Sequence, residues 1–232
     1  MNLPPNGFLQ SISPGDFEIL RPHLRAVKLP LSKILFDQGD VIDQVYFPLG
    51  GVVSLVVALS DGQQIEAGMI GKDGVVGTPA ALDGAKSLNR AIVQVADEAL
   101  AIDIAHVKAA VAGSQSLRKK LYQHDQLILA QAQQSAACNA LHQIEERLCR
   151  WILRTRDLVE SSKLNLTQEF LAQMLGVRRT SVTLAARHLQ AVGFIKYRRG
   201  HIEILDRDAL EEAACECYEA VKAQQARMLT DE

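Results

Sequence analysis

Six cationic side chains and two histidines lie between residues 170 and 202, a segment that contains no Asp or Glu. The six cations are Arg178, Arg179, Arg187, Lys196, Arg198 and Arg199. In a chain of net charge −2, such a concentration of positive charge favours binding to a polyanion. Because the cations lie within a polar helical stretch and the turn beyond it, the segment predicts binding to double-stranded DNA.

The same segment begins with the spacing of two helices joined by a tight turn. Thr167 is a favourable N-cap, and Glu169 lies in the first turn, where the helix dipole favours an acid. Ala172 is small where a second helix must cross closely, and Gly176 permits the turn. The pattern therefore predicts a helix-turn-helix.

The second helix, residues 179–192, is predicted to enter the major groove with its N-terminus leading. Arg179 can bind guanine through two hydrogen bonds, and Thr180 can contact a base edge. We expect Arg178, Ser181 and Arg187 to contact phosphates, which set register without reading sequence. The predicted DNA-contacting residues are Thr167, Arg178, Arg179, Thr180, Ser181, Thr183, Arg187, Lys196, Arg198 and Arg199. Residues 193–204 then predict a β-hairpin with a cationic tip, the wing of a winged helix.

The elements before this segment are of a different kind. Short runs rich in Val, Ile and Leu predict antiparallel strands at residues 29–36, 44–47, 52–58, 64–69, 91–95 and 99–104. Asp61-Gly62 is the clearest hairpin turn between them. Strands of this spacing, without intervening helices, predict an antiparallel β-barrel or jelly roll. The fold class is therefore α+β.

Helical periods begin near residue 107. Residues 107–111 predict a short helix, and residues 115–137 a long one without Gly or Pro. An alternating 4-3 spacing favours a dimer seam on the long helix, although the same face could instead pack on its own barrel. The residues of that spacing are Leu117, Leu121, His124, Ile128, Gln131 and Ser135. Further helices are predicted at residues 141–158 and 208–228, the last with acidic residues that we expect to face away from DNA.

The regional charge supports two functional halves. Residues 147–207 contain 12 basic and 5 acidic residues, whereas the rest of the chain contains 13 and 22. The sequence predicts an effector domain at residues 1–114, a dimerisation helix at 115–138 and a DNA-binding domain with an extra C-terminal helix at 139–232.

Several function classes find no support in the sequence. No nucleophile-elbow, phosphate-loop or dinucleotide-binding motif is present, and no His occurs between His23 and His106 for a cupin-type metal centre. Neither a signal peptide nor a transmembrane run is apparent. We therefore expect a cytoplasmic protein that is not an enzyme and does not bind membranes.

The four cysteines, Cys138, Cys149, Cys215 and Cys217, all lie in the C-terminal half. Cys215-Glu216-Cys217 could be half of a metal site, but zinc ligation needs a second pair, and the upstream cysteines lack that spacing. The sequence therefore predicts structural cysteines and no metal.

Over residues 8–206 the chain resembles the Crp-Fnr superfamily of bacterial transcription regulators. The resemblance rests on the order of Leu35-Phe36-Asp37-Gln38-Gly39-Asp40, Tyr46, Gly50-Gly51, Asp61-Gly62, the 71–77 loop, Glu145-Glu146-Arg147-Leu148-Cys149-Arg150-Trp151 and the winged helix. It implies a cyclic-nucleotide-binding-like domain, a long dimerisation helix and a homodimer that reads two half-sites. It also implies that Arg179, Thr180 and Leu184 occupy base-reading positions, and it makes RNA polymerase a candidate partner.

The sequence departs from well-known members at the effector site. Members similar to the cAMP receptor carry Gly-Glu-Leu and, later, Arg-Ser, whereas this chain has Gly74-Val75-Val76-Gly77 and Leu88-Asn89-Arg90-Ala91. The carboxylate is absent and Arg90 is displaced, so we do not expect cAMP. No Cys precedes Cys138, so we expect no iron-sulfur cluster of the oxygen-sensor type. The predicted effector-binding residues are Gly74, Val75, Gly77, Thr78, Arg90 and Gln131. A DNA-binding regulator with a vestigial, effector-independent barrel is the alternative.

Overall fold

A computed structural model describes residues 3–60, 62–82 and 86–229. The chain begins with two short helices, α1 (Gly7–Ser11) and α2 (Pro14–Leu20). Each has a side-chain N-cap: Asn6 accepts from the Leu9 amide and Ser13 accepts from the Asp16 amide. Phe8 of α1 and Phe17 of α2 are buried in the core. The sequence does not predict these helices, because helices of five and seven residues are too short to show a clear period.

Seven strands form the N-terminal jelly roll. They are β1 (Arg25–Leu29), β2 (Ile34–Phe36), β3 (Gln44–Pro48), β4 (Val52–Ala58), β5 (Gln64–Ile70), β6 (Arg90–Val95) and β7 (Asp97–Asp103). One sheet has the order β1-β7-β3 and the other β2-β6-β4-β5, with every pairing antiparallel. The predicted fold class is confirmed. The strands form two facing sheets instead of one closed barrel.

The strand predictions differ from the structure mainly at one turn. Residues 29–36 were predicted as one strand, but β1 and β2 are separate there, and Ser32 has a φ of +64°. A single strand could not contain that left-handed residue, because positive φ breaks extended pairing. The predicted Asp61-Gly62 turn includes Asp61, which lies outside the described residues.

Three helices belong to this half of the chain. Helix α3 (Thr78–Ala81) lies between β5 and β6 in the sequence, and α4 (Ile104–Gly113) and α5 (Gln115–Leu141) follow β7. The dimer seam predicted on α5 is wrong for the face to which it was assigned. Leu117 and Leu121 pack in the same core as Phe8 and Phe17, and His124 hydrogen-bonds to the 74–78 loop. This face is therefore covered by the chain's own jelly roll, the alternative that the periodicity left open.

The C-terminal half forms the winged helix. Its elements are α6 (Ile144–Val159), β8 (Lys163–Asn165), α7 (Gln168–Leu175), α8 (Arg179–Ala191), β9 (Ile195–Arg198) and β10 (His201–Ile204). The three strands form an antiparallel sheet of order β8-β10-β9. Leu148, Trp151 and Ile152 of α6 are fully buried in a core that they share with α7 and α8.

The C-terminal helix predicted at residues 208–228 is instead two helices, α9 (Arg207–Glu212) and α10 (Cys217–Leu229). After the break at residues 213–216, α10 packs along α5 and α6. Cys215 within the break and Cys217 at the start of α10 are both buried. No helix in the described parts of the chain is long and apolar enough to span a membrane.

Candidate nucleic-acid interface and jelly-roll cavity

Local interactions fix the angle between α7 and α8. The Thr167 hydroxyl accepts from the Phe170 amide at 3.2 Å, which caps α7. Gly176 ends this helix with a φ of +62°, and the Val177 amide donates to the Ala172 carbonyl at 3.0 Å. Val182 and Leu189 of α8 are buried against the same core. The predicted helix-turn-helix is confirmed by this geometry and by the domain match given below.

The outer face of α8 is exposed and cationic. Arg179, Thr180, Leu184 and Arg187 are all exposed, as is Arg178 at the N-cap position. Ser181 is half-buried. Because the amide groups of the first turn of a helix carry partial positive charge, this end adds to the attraction for phosphate.

Two predicted contact residues of this region also have partners within the protein. The Thr183 hydroxyl lies 2.7 Å from Oε1 of Gln168 and 3.0 Å from the Arg179 carbonyl, so it joins α7 to α8. The Arg179 side chain lies 3.9 Å from the Glu169 carboxylate, and both are well exposed. An exposed pair at this distance contributes less than about 1 kcal/mol, so Arg179 can exchange Glu169 for a DNA group at little cost.

The wing is a tight hairpin between β9 and β10. Arg199 and Gly200 have φ values of +51° and +83°, the left-handed pair that a two-residue type I′ turn requires. The turn is held to residue 166 by the Leu166 amide, which donates to the Gly200 carbonyl at 2.7 Å, and by the Tyr197 hydroxyl, which donates to the Leu166 carbonyl at 2.7 Å. Arg198 and Arg199 are exposed at the tip, whereas exposed Lys196 stands opposite Glu203.

A buried histidine links α5 to the loop at residues 74–78. The Val75 amide donates to Nε2 of His124 at 3.0 Å, so this nitrogen carries no proton, and Nδ1 faces the Thr78 hydroxyl at 3.2 Å. Burial lowers the pKa of His124 to about 4, an effect that the nearby Asp73 charge only partly offsets. A Cβ on Gly74 would lie 2.6 Å from Nε2, which explains the glycine. The neutral imidazole therefore fixes this loop against α5.

A cavity of about 490 Å³ lies between this loop, the jelly roll and α5. Its walls are mostly apolar, and Lys86 is the cation among its described lining residues. The lining comprises Phe36, Ile42, Leu55, Ala67, Gly68, Ile70, Val75, Gly77, Thr78, Pro79, Lys86, Ser87, Leu88, Asn89, Asp125, Ile128, Leu129 and Ala132. The volume is within the range of small-molecule sites.

The predicted effector residues divide into two groups. Val75, Gly77 and Thr78 line the cavity. Gly74, Arg90 and Gln131 are outside its described lining. Gln131 is buried, and its Oε1 accepts from the Met69 amide at 3.2 Å.

Arg90 is paired with a carboxylate, Asp37, that lies 53 residues away in the sequence and that no local pattern assigns to it. Its Nε and Nη2 donate to the two oxygens of Asp37 at 3.1 and 2.6 Å. The hydrogen bonds from Arg90 hold the pKa of Asp37 below its ordinary value. This two-point pair neutralises the cation that would otherwise bind a cyclic phosphate.

Two contacts join the jelly roll to α6. Nε1 of Trp151 donates to the Glu66 carboxylate at 2.9 Å, and Ser54 donates to its other oxygen. Arg154 donates to Asp73 at 2.6 Å, beside the 74–78 loop. Because Asp73 and His124 both border this loop, a change at the cavity has a short physical route to the winged helix.

The cysteines form a cluster that their sequence spacing did not predict. Cys138, Cys215 and Cys217 meet near His142, with all four ligand atoms within 4.8 Å of one another. Cys149 lies apart, in the core of the winged helix. The signal available in the sequence was that Cys138 and His142 are four residues apart, one helical turn, but α5 ends between them.

Two domain families match the sequence in the order that the fold suggests. The cyclic nucleotide-binding domain matches residues 26–113 and the Crp-like helix-turn-helix domain matches residues 146–213. No curated protein matches the sequence significantly.

Solved structures share the fold at low sequence identity. FixK2 from Bradyrhizobium japonicum is 16% identical, with a TM-score of 0.71 over 83% of this chain and 98% of that one. A transcriptional regulator of the CRP/FNR family from Thermus thermophilus is 22% identical, with a TM-score of 0.67 over 82% and 98%. The c-di-GMP responsive global regulator CLP of Xanthomonas campestris is 18% identical, with a TM-score of 0.61 over 83% and 99%.

Proposed function

Since the chain belongs to the Crp-Fnr superfamily of DNA-binding transcription regulators, we propose that it acts as a homodimer on two half-sites and responds to a small molecule other than cAMP. Regulators of this family are not enzymes. The observation that carries the proposal is the exposed, acid-free face of α8 beside the wing tip, Arg198 and Arg199. That surface would act on DNA in the cytoplasm, where RNA polymerase is a candidate partner.

The proposed DNA contacts follow from exposure and position. Arg179 and Thr180 begin the recognition helix and would reach base edges. Arg178, Ser181 and Arg187 would bind phosphates beside the groove, with Thr167 at the start of α7. Lys196, Arg198 and Arg199 would bind phosphates from the wing. Because Thr183 already donates its hydroxyl proton within the protein, its proposed contact is limited to its methyl group and to hydrogen bonds accepted by its hydroxyl oxygen.

A second copy of the chain is the proposed partner of α5. On the side opposite the buried seam, α5 has an uncharged stripe of exposed residues whose spacing again alternates between four and three. The stripe, called here the exposed stripe, consists of Tyr122, Gln126, Leu129, Gln133, Ala136 and Ala140. Its alanines allow two backbones to approach closely, and a parallel pair of α5 helices would place two recognition helices on one face of DNA.

The proposed effector is a largely apolar molecule bound in the jelly-roll cavity. Apolar walls supply affinity, while Thr78, Ser87 and Asn89 offer the polar contacts that orient a ligand. Leu129 belongs both to the cavity lining and to the exposed stripe, so a bound molecule would touch the dimer interface directly. The Arg90–Asp37 pair argues against an anionic cyclic phosphate at that position.

Binding-site selection tests the function. The purified chain is used to enrich sequences from a random DNA pool, and the proposal expects a two-half-site consensus with half-site centres about one helical turn apart, or a multiple of it. The stoichiometry of the complex, measured by native mass spectrometry, should be two chains per duplex. Enrichment of a single half-site bound by one chain would overturn the dimeric arrangement, and no enrichment would overturn sequence-specific binding.

The effector-independent alternative is favoured by one observation, the neutralised Arg90. Native mass spectrometry of the chain incubated with cell extract separates the two hypotheses. A retained small molecule that changes DNA affinity supports the sensing function. An unliganded chain whose DNA affinity is unaffected by extract supports the vestigial jelly roll.

A further inference from the structure

Three thiols and one imidazole from two segments of the chain, residues 138–142 and 215–217, converge near the end of α5. Cys138 lies in the last turn of this helix, and His142 directly follows it. Cys215 lies in the break between α9 and α10, and Cys217 is the first residue of α10. The three cysteines are buried, and the His142 side chain is 18% exposed. The group is thus enclosed on nearly every side.

The spacing of these four side chains suits one tetrahedral ion. Sγ of Cys138 lies 3.5 Å from Sγ of Cys215, and Sγ of Cys217 lies 3.5 Å from Nδ1 of His142. With metal–sulfur bonds of about 2.3 Å and metal–nitrogen bonds of about 2.0 Å, the edges of such a tetrahedron measure about 3.5 to 3.8 Å. All pairs already lie within 4.8 Å, so small side-chain adjustments complete the geometry.

The groups around the cluster have the arrangement of an outer ligand shell. Nε2 of His142 lies 3.2 Å from the Glu216 carboxylate, which fixes the proton on Nε2 and leaves Nδ1 free to ligate. Nε2 of Gln134 donates to Sγ of Cys217 at 3.0 Å, as an amide does to a metal-bound thiolate. A carboxylate-oriented histidine and an amide-bonded sulfur are both more than a hydrophobic packing role requires.

The charge of the surroundings also suits the site. A divalent ion with three thiolates carries one net negative charge, and burying it requires a nearby cation. Arg150 lines the small cavity that also contacts Cys217, and its Nε is buried without a hydrogen-bond partner in the described part of the chain. The Arg150 guanidinium is therefore placed to balance that negative charge.

We propose that Cys138, His142, Cys215 and Cys217 bind one zinc ion that fastens α10 to the C-terminal end of α5. Three soft sulfur ligands and one imidazole in a closed tetrahedron favour zinc over calcium, magnesium or manganese. All four positions are filled by protein ligands, so the site is structural. The ion would stabilise the segment that connects the long helix α5 to the winged helix.

A disulfide between Cys138 and Cys215 is the competing arrangement. Their sulfur atoms would have to approach from 3.5 Å to about 2.05 Å. Such a bond would use two of the four groups and leave Cys217, His142 and their polar partners without a purpose. The four-ligand site accounts for all of them.

Metal content of the full chain tests the proposal directly. After purification under reducing conditions with zinc present and removal of loose metal, elemental analysis should find one zinc per chain. Reconstitution with cobalt under anaerobic conditions should give sulfur-to-cobalt charge-transfer absorption and the intense visible bands of tetrahedral cobalt. Substoichiometric zinc together with no such absorption would overturn the proposal, as would a Cys138–Cys215 disulfide found by mass spectrometry in the protein from cells.

Matched variants locate the ion. Cys215→Ser and Cys217→Ser should each lose stoichiometric zinc and the charge-transfer band of the fourfold site, whereas Cys149→Ser, a buried cysteine outside the cluster, should retain both. Glu216→Gln should keep the cobalt spectrum but release zinc to a competing chelator with 10- to 100-fold weaker affinity, roughly the effect of losing an outer-shell partner. Circular dichroism on every variant checks that it folds. The Glu216→Gln variant keeps all four proposed ligands, so it tests the site without removing one of them. Unchanged zinc affinity in all three cluster variants would place the ion elsewhere.

Discussion

At the scale of single residues, the proposed DNA-binding surface contains candidates for base reading and candidates for phosphate anchoring. Arg179 is exposed at the first residue of α8 and has only a loose contact with Glu169. Arg187 is exposed two turns later on the same helix. Since a recognition helix enters the groove by its N-terminal end, these two arginines should contribute differently although both are cationic.

Replacing Arg179 with Ala should weaken binding to the selected operator by about 1 to 3 kcal/mol and relax preference at one base position in each half-site. The physical reason is the loss of a two-point hydrogen bond to a guanine edge. The measurement is fluorescence anisotropy titration on the operator, on single-base variants and on random DNA. Arg187→Ala is the matched control and should weaken all these DNAs alike. An equal loss on operator and random DNA for Arg179→Ala would make Arg179 a phosphate contact.

At the scale of elements, α5 has one buried face and one exposed face. The buried face, with Leu121, His124 and Gln131, packs on its own jelly roll, whereas the exposed stripe is uncharged and has no partner among the described residues of the chain. A helix of 27 residues that is covered on one side can pair through the other. The wing is a separate element, the hairpin formed by β9 and β10 in the sheet β8-β10-β9.

Placing a charge in the exposed stripe should dissociate the dimer. In Ala136→Glu, two carboxylates would face each other across the dimer axis, at a cost of several kcal/mol, or roughly a hundredfold or more in dissociation constant. Ala112→Glu makes the same change on an exposed alanine of α4, away from the stripe, and should stay dimeric. Sedimentation equilibrium measures both variants. A dimeric Ala136→Glu at the wild-type dissociation constant would exclude this face of α5 as the interface.

Removing the two cations of the wing tip should weaken binding to all DNA sequences equally. The double variant Arg198→Ala/Arg199→Ala loses two phosphate contacts, so the slope of log K against log salt should fall by up to about 2. Lys108→Ala/Lys119→Ala removes two exposed cations from α4 and α5 and serves as the control for net charge. If the double wing variant kept the wild-type slope, the hairpin would not contact phosphate.

At the scale of the whole molecule, polar contacts connect the jelly roll to the winged helix. Glu66 of β5 accepts from Trp151 of α6, and Asp73 pairs with Arg154 of the same helix. Burial raises the pKa of Glu66 to about 7, against the opposing effects of Ser54, Arg150, Trp151 and Arg154. The folded state therefore takes up a proton here as the pH falls through 7.

Glu66→Gln should change the pH dependence of stability in a defined direction. Because the folded pKa of about 7 exceeds the ordinary 4.5, the contribution of Glu66 is complete below pH 4.5 and is lost as the pH rises through 7. Between about pH 5 and pH 8 the loss amounts to about 2 kcal/mol. Urea unfolding at both pH values gives the free energy of unfolding of the variant minus that of the wild type. This difference should be more favourable to the variant at the higher pH by that amount.

The contribution of His124 to stability has the opposite pH dependence and does not disturb this comparison. Its folded pKa of about 4 lies below the ordinary 6.5, so its contribution is complete above pH 6.5 and is lost as the pH falls through 4. It is common to wild type and Glu66→Gln and cancels in their difference. A difference that does not change with pH would show that Glu66 titrates normally in the folded protein.

Much of this molecule follows from the sequence because local interactions decide it. The strand β4, the long helix α5, the α7–α8 turn at Gly176 and the type I′ hairpin at Arg199-Gly200 each depend on periodicity, capping or positive φ within a few residues. The cations of α8 and the wing could be assigned for the same reason, since exposed charge needs no distant partner.

The tertiary structure decided which groups meet across the chain. The 4-3 spacing of Leu117, Leu121 and His124 is the same whether a second chain or the jelly roll covers it, so only packing could choose between them. Asp37 and Arg90 are 53 residues apart, and Cys138 and Cys215 are 77 apart. Their pairing depends on how sheets and helices stack, which no local pattern encodes. Sequence determined the elements and their charge, and three-dimensional packing determined which buried polar groups became partners.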